Sequence, residues 1–415
     1  MTAPTSVITR SGKTYAVERH LAQGAQGHAY LVRRRDTGEA AVLKLFSERF
    51  RTGATRQRIS ALLAYKLHHR CSMLYAPTDM VDLPGALGHV APVAPGVKLE
   101  QYMEAPSGRF LDHVIAAAAI TAALTVLEQL GVGHGDLQAG NVMIEHRDGV
   151  LRAGLIDFDN LIESGQRPPS IGHVQYYAPE IRQAVAEGRA ARPDLLTDRY
   201  AHGVLMHELL LARHPAAGVA ADPANFDHVM RSGKWLGDPG EPSALQGEEG
   251  FPTECLDPSL QSLLRRALAG PRTGRPTAAA WLTALLKAAA NVYHCDHCGR
   301  PCIVDGGKFN CVHCRKPFPA YHLMVAGHPV ATLQRAPLVL GRNALGGDML
   351  VSTRHLVLRR RGPDALLETI GDTPTYRLHA GGRTLLEKGQ EHLIGHGERF
   401  LFGRTEATVE IVKVA

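Results

Sequence analysis

The sequence predicts a multidomain chain: an α+β region, then a small metal-binding ribbon, then an all-β sandwich. Three observations carry this. Residues 14–46 alternate apolar and polar side chains as strands do, and stretches of helical periodicity follow them. Five of the seven cysteines crowd into residues 295–314, with Cys71 and Cys255 left isolated. From Tyr321 onward the chain consists of short β-rich runs separated by turn residues. The totals agree, because 415 residues exceed one ordinary core, and 45% hydrophobic with 21% charged residues describe a soluble globular protein.

The charge balance excludes some classes of partner. A net charge of +6 over this length is dilute, and the runs Arg33-Arg34-Arg35 and Arg359-Arg360-Arg361 read as solvated strand or loop residues. No nucleic-acid partner is expected. The first twenty residues contain no apolar core of signal-peptide length, and the Ala-rich stretch Val114 to Leu127 is too short to cross a bilayer. A buried helix is expected there, with no membrane partner. Clustered cysteines fit a metal site in a reducing, cytoplasmic setting better than a disulfide framework.

In the α+β region, Tyr15-Ala16-Val17 leads into Leu21 to Val32, and after a turn at Asp36 to Glu39 comes Ala40-Ala41-Val42-Leu43-Lys44-Leu45-Phe46. Gly24 and Gly27 let the first hairpin tip approach phosphates closely, with no Cβ in the way. The β-rich Ala-Tyr-Leu-Val run after them argues against a dinucleotide fold, which would open a helix at that point. Lys44, in the next strand, is a cation placed to reach α- and β-phosphates. Residues 54–70 have helical spacing at Ile59, Leu62, Leu63 and Leu67, and are expected to pack behind Lys44. No acidic residue occurs between Glu48 and Asp79, which leaves Gln57 as the polar candidate on that helix. Residues 81–104 are expected to supply the backbone that meets adenine, around Val90 to Val93. A helix from about Phe110 to Leu130 then delivers the chain to His134-Gly135-Asp136-Leu137-Gln138-Ala139-Gly140-Asn141-Val142, with Leu155-Ile156-Asp157-Phe158-Asp159 beyond. An Asp to orient a hydroxyl, with an Asn and a second Asp to hold Mg²⁺, is the acidic equipment of phosphoryl transfer from ATP.

These residues resemble the bacterial eukaryotic-like (Hanks-type) protein kinases over roughly residues 10–288, which implies a bilobal kinase fold with lobes of about 10–93 and 94–288. The resemblance implies that Asp136 is the catalytic base, Asn141 and Asp157 the Mg²⁺ ligands, and Lys44 the phosphate-anchoring lysine. ATP and Mg²⁺ are the implied cofactors and a protein hydroxyl the implied acceptor. His134-Gly135-Asp136 has Gly where many members carry Arg, so switching by activation-loop phosphorylation is not expected. Asp159 stands where the family has Gly, which removes a hinge and adds a carboxylate near the metal.

His-Gly-Asp-Leu also resembles aminoglycoside and choline phosphotransferases, and the downstream residues decide between the two. Gly172 to Glu180 resembles the segment that closes a protein-kinase activation loop; Asp198 follows on a helix and Arg275 comes later. In the family Glu180 and Arg275 form a buried ion pair, and Asp198 ties the central helix to the catalytic loop. Small-molecule kinases lack this set. Gln138 and His173 replace the residues that usually mark Ser/Thr members, so Ser/Thr specificity rests on the family as a whole. Ser164 and Ser170 are the hydroxyls of the short activation loop. The missing helix acid keeps a pseudokinase, holding nucleotide and phosphoprotein without efficient catalysis, as the rival reading.

Residues 289–320 contain Cys295-x2-Cys298 and Cys311-x2-Cys314 separated by twelve residues, with Gly306-Gly307 expected to turn a hairpin between them. Two such knuckles place four thiolates around a structural Zn²⁺. In residues 321–415, the runs Leu338–340, Leu350-Val351, Leu356–358, Leu366-Leu367, Phe400–402 and Val409–412 are expected strands. Gly341-Arg342-Asn343, Ser352-Thr353-Arg354-His355 and the two late Gly-rich hairpins resemble the forkhead-associated (FHA) domain. The resemblance implies a phosphothreonine partner held by Arg342, Ser352 and Arg354, with His355 a buried structural residue. Thr373 stands where that family has Asn. A kinase followed by a zinc ribbon is also similar to bacterial kinases that work with a metal-dependent phosphatase, which would make a cognate phosphatase a partner.

Overall fold

The computed structural model describes residues 4–104, 110–147, 150–163, 168, 170–217, 223–238, 250–304, 310–318, 320–333, 337–361 and 364–412. The chain divides into two compact units, one of residues 1–253 and 259–285, the other of residues 254–258 and 286–415.

The first unit begins with β1 (Ser6–Ile8), β2 (Thr14–Gln23), β3 (Gly27–Arg34), β4 (Ala40–Phe46), β5 (Asp79–Leu83) and β6 (Ala86–Pro92). They form one antiparallel sheet in the order β1-β2-β3-β4-β6-β5. The alternation read in residues 14–46 is the pleat of this sheet. Tyr15, Tyr30, Val32, Leu43, Leu45, Val81 and Val90 share one core. Between β4 and β5 lies α1 (Gly53–Tyr65), which packs Ile59 and Leu63 against Phe46, Met80 and Leu87. Thr52 caps its start by accepting from the Thr55 backbone N–H. The helix expected over 54–70 is broken in two, because Lys66 adopts a left-handed backbone (φ 49°) before the short α2 (Leu67–Arg70).

Next come β7 (Val97–Lys98), α3 (Leu99–Glu104), α4 (Phe110–Gln129), β8 (Val142–Arg147) and β9 (Val150–Leu155). The helices α5 (Pro179–Ala186), α6 (Leu195–Leu211), α7 (Pro223–Ser232), α8 (Pro258–Leu268) and α9 (Ala278–Ala289) follow. By length and composition α4 could cross a membrane, yet 67% of its most apolar window is buried inside the structure. It packs on α6 and β9, with the Thr121 hydroxyl 3.0 Å from His202 Nε2 across the α4–α6 contact. Asp194 and Thr197 close a reciprocal capping box at the start of α6, which fixes where that helix begins.

In the second unit β10 (Val292–His294) and β11 (Pro301–Ile303) form a short antiparallel pair. Ten strands follow: β12 (Ala320–Val325), β13 (His328–Leu333), β14 (Leu338–Leu340), β15 (Leu356–Arg361), β16 (Asp364–Thr369), β17 (Thr375–His379), β18 (Gly382–Leu386), β19 (Glu391–Ile394), β20 (Arg399–Phe402) and β21 (Thr405–Val412). They make two sheets, β13-β12-β21-β20-β17-β18 and β14-β15-β16-β19. Inward residues of both, among them Leu323, Phe400, Phe402 and Val409 from one and Leu356, Leu358, Leu367 and Ile394 from the other, form a single core. Leu350-Val351, expected as a strand, is a turn. Val351 is buried as a strand residue would be, but its N–H donates to Asp348 O at 2.9 Å and the Asp348 carboxylate accepts from Leu350 N.

Candidate active site

The loop between α4 and β8 carries Asp136 and Asn141, and its shape is set by Asp198 on α6. The Asp198 carboxylate accepts from the backbone N–H of His134 and of Gly135, each at 2.9 Å. His134 is fully buried, lies 3.0 Å through Nε2 from Ile156 O, and sets its ring tilted against Phe158 at 4.8 Å. Gly135 has φ 79°, and a Cβ there would collide with the Asn160 carbonyl. The missing Arg at this position therefore has a local steric reason in this chain.

Asp136 is held from two sides. Asn141 Nδ2 donates to Asp136 O at 2.8 Å and to its Oδ2 at 3.2 Å, while Gln138 Nε2 donates to Oδ1 at 2.9 Å. Gln138, which sequence reasoning treated only as a missing marker, thus supports the candidate base. Asn141 is buried, and committing its NH₂ to Asp136 presents its amide oxygen as the acceptor on offer. Asp157 supplies a half-exposed carboxylate and holds a left-handed backbone at φ 63°, an uncommon state for a residue other than glycine and one that collects at functional sites. An amide oxygen and a carboxylate are hard ligands, the donor set that suits Mg²⁺.

Lys44 Nζ lies 2.8 Å from Asp157 Oδ1 and 2.5 Å from Asp159 Oδ2. The second oxygen of Asp159 is 2.8 Å from His89 Nε2 on β6. Burial works against charge on both Lys44 and Asp159. The ion pairing outweighs it, raising the Lys44 ammonium and holding the Asp159 carboxyl well below its usual range. Gln57, the expected polar substitute on the helix, is exposed and makes no such contact; the helix instead presents Arg58 to a small cavity that Asp159 also lines. The partner of Lys44 therefore comes from the Asp157–Asp159 loop. The signal for it was in the sequence as an Asp where Gly is usual.

Gly24 and Gly27 sit at the β2–β3 tip, where Gly24 N donates to Gly27 O at 2.9 Å. A side chain on Gly24 would meet open space, whereas one on Gly27 would strike the Leu45 carbonyl of the neighbouring strand. Gly27 is thus required by strand approach and Gly24 is the open tip. Val90 is buried in the sheet at the end of β6, and Val93 just beyond it is exposed.

Gly172 also adopts positive φ (88°) and lies beside Asp136. Tyr176, four residues on, donates to Glu208 Oε2 at 2.5 Å and accepts from Ala139 N at 3.1 Å, tying α6 to the catalytic loop. Burial, opposed by the Tyr176 hydrogen bond and aided by Glu100, pushes the Glu208 carboxyl up to about 7. Between pH 5 and 7 the folded chain then keeps a proton that the unfolded chain has released. The stabilisation is fully present below the unfolded carboxylate range and is lost as pH rises through about 7. Glu208→Gln should flatten the melting temperature between pH 5 and 8, recovering about 2 kcal/mol at pH 8. A variant whose pH profile matches the wild type would remove Glu208 as the source.

Downstream, Arg275 is buried and grips Glu180 through two bonds, Nη1–Oε1 at 2.7 Å and Nη2–Oε2 at 2.8 Å, with Nη1 also donating to Leu196 O. Arg272 adds a bond to Glu180 and pairs with Asp194. Arg275 thus pairs with Glu180, and Asp198 bonds the backbone of the loop that carries Asp136. Ser170 accepts from Gly172 N at 3.3 Å, and Ser164 lies outside the described residues.

In the second unit Cys295, Cys298, Cys311 and Cys314 converge, their sulfurs all within 4.8 Å of one another. The Cys295–Cys314 and Cys298–Cys311 separations are both 3.7 Å. Four sulfurs at the usual Zn–S length sit about 3.8 Å apart on a tetrahedron, so this group could hold a metal ion with little adjustment. Gly306-Gly307 lies outside the described residues. Arg342, Ser352 and His355 also lie close together. Arg342 N donates to Ser352 O, and its guanidinium donates to Val351 O at 3.0 Å and Met349 O at 3.3 Å. Ser352 Oγ accepts from Asp372 N at 3.3 Å; His355 is fully buried, 2.9 Å from Thr375 Oγ1; Arg354 is exposed.

Comparison with known proteins bears on the first unit. The serine/threonine-protein kinase PksC of Streptomyces coelicolor is 26% identical over 293 residues, covering 65% of this chain and 47% of its own length. The probable serine/threonine-protein kinase PknB of Bifidobacterium longum is 29% identical over 114 residues, 26% of this chain and 15% of that protein. The chain spans about half or less of these curated relatives. A solved structure of the Mycobacterium tuberculosis PknI kinase domain, a double mutant, aligns at TM-score 0.46 and 19% identity, covering 70% of this chain and 100% of that one. The family model for the protein kinase domain matches residues 15–285, well over half the chain, and the chain belongs to that family.

Proposed function

We propose that the chain transfers the γ-phosphoryl group of ATP to a serine or threonine hydroxyl of a protein. The observation that carries this is a pair of loops joined by the Ile156 N to Asn141 O bond, one holding Asp136 braced by Asn141 and Gln138, the other holding Asp157 with its ion-paired Lys44. In this reading Asp136 orients the acceptor hydroxyl and takes its proton, at Oδ1 or Oδ2. Asn141 and Asp157 hold Mg²⁺, which neutralises charge on the transferring group, and Lys44 steadies the α- and β-phosphates. The names of the curated relatives support a Ser/Thr acceptor. Incubation with radiolabelled ATP and Mg²⁺, read by mass spectrometry, should show phosphate on the chain itself or on lysate proteins, and none with Asp136→Ala. Thermal stabilisation by ATP and Mg²⁺ without labelling would leave a nucleotide-binding scaffold instead.

The second unit is read as an accessory to this activity. The four cysteines hold a structural Zn²⁺, and the sandwich is an FHA-like reader in which Arg342 and Ser352, with Arg354, bind a phosphothreonine phosphate. The backbone bond from Arg342 N to Ser352 O, which sets the two residues side by side, supports this. Arg342→Ala should lower the affinity for phosphothreonine peptides at least about tenfold in fluorescence anisotropy, a charge-assisted contact being worth about 1.5–3 kcal/mol. Unchanged affinity would move the pocket elsewhere.

A further inference from the structure

We infer that Asp159 is the positioning residue for Lys44, filling from the metal-binding loop the role that a helix carboxylate would fill, with His89 holding Asp159 in place. The inference rests on the kinase reading above for its functional half and on geometry alone for its structural half.

Asp157 and Asp159 are two residues apart but their environments divide the work. The Asp157 side chain is 38% exposed, that of Asp159 only 5%. The more exposed carboxylate is the one that the kinase reading assigns to the metal, and the buried one is committed to Lys44 at 2.5 Å and to His89 at 2.8 Å. A carboxylate so far from water persists only when its charge is compensated, and here the Lys44 ammonium pairs with Oδ2 while His89 Nε2 meets Oδ1. The helix offers no competitor. Its sequence from Gly53 to Tyr65 contains no acid, and Arg58 is its charged residue at the small cavity shared with Phe46, Ile59, Leu62 and Asp159. The arrangement is a charge swap, with the anion on the loop and the cation on the helix. Without Asp159, Lys44 would rest on Asp157 alone and so occupy the carboxylate that the metal needs. Lys44 is thereby fixed from the loop side, and its placement does not depend on an acid carried by α1.

The test uses the full chain and two readouts. The first is a double-mutant cycle in melting temperature with Lys44→Met and Asp159→Asn. The two single losses are expected to sum to more than the loss in the double variant, because the pair is removed only once. The second is steady-state kinetics. Asp159→Asn should raise the KM for ATP about 10- to 100-fold, the usual cost of removing a partner that orients a ligand-binding group. His89→Ala, which removes the contact to Asp159, should raise the KM for ATP in the same direction, and His89→Gln, which keeps a donor, should recover part of that rise. Adding Arg58→Glu to Asp159→Asn returns a carboxylate to the same cavity from the helix side and should recover much of the loss, which a merely structural role would not predict. Additive melting shifts would overturn the inference, as would an unchanged KM despite coupling. Faster turnover in Asp159→Asn would overturn it too, making the contact an inhibitory latch. If the wild type neither binds nor turns over ATP, the kinase reading falls, and with it the functional half of the inference, while the melting cycle still decides whether the pair exists.

Discussion

Asp136→Asn should lower kcat for phosphoryl transfer by about 10²- to 10⁴-fold, the range for removing a positioned acid–base group, while leaving the KM for ATP nearly unchanged. The substitution keeps the volume, the amide oxygen still accepts from Gln138 Nε2, and Asn141 Nδ2 keeps its bond to the Asp136 backbone O, while its longer contact to Oδ2 is given up. What it removes is the ability to take the acceptor's proton. Because Asp136 lies apart from the Lys44–Asp157–Asp159 cluster in the bonding network, nucleotide affinity should not follow the loss in rate. Initial rates at saturating ATP, on the acceptor identified by mass spectrometry, check this. A kcat within a few-fold of wild type would mean that Asp136 is not the base.

The parts of this site that could be read from the sequence are those fixed by local spacing. Asp136 and Asn141 share one tight loop, and a side chain five residues along such a loop returns to bond the first. Glu180, Asp198 and Arg275 were legible because their order and spacing resemble those of the kinase family; Arg275 is buried, and Glu180 and Asp198 are partly exposed. The partner of Lys44 was not legible in this way. His89 and Asp159 are 70 residues apart, and the contact exists only once β6 and the Asp157–Asp159 loop have packed together. The sequence held only its two shadows, a helix without an acid and an Asp in place of a Gly. The same limit applies to elements. Lys66 takes a left-handed backbone without being Gly or Asn, so nothing local marked the break between α1 and α2. Val351 has the burial of a strand residue, but Asp348 holds its segment in a turn, a contact that apolar patterning does not register.

The four cysteines give the other large expected effect. Protein prepared under reducing conditions should carry about one Zn²⁺ per chain by elemental analysis, because four thiolates build one tetrahedral site. Among the described residues, the segment around them is built from short elements and a few side-chain contacts, His313 lying 3.2 Å from Cys255 Sγ and 3.0 Å from Pro301 O. β10 and β11 are three residues each, and the aromatic support is Tyr293 set edge-on to Phe318 at 4.8 Å, with Arg360 over the Phe318 ring at 5.7 Å. Structural zinc in small modules contributes about 10–16 kcal/mol of apparent binding energy at neutral pH, far more than such a hairpin can replace. A strong chelator, or Cys311→Ser at a buried ligand position, should therefore abolish hydrogen-exchange protection across residues 292–304 and 310–318. The sandwich strands should keep much of theirs, because the core built on Phe400, Phe402, Leu356 and Leu367 does not include the knuckles. That contrast separates a local metal clasp from general destabilisation. Equal protection with and without chelator, or four cysteines found fully oxidised in the reduced preparation, would show that the sulfurs converge for some purpose other than holding a metal.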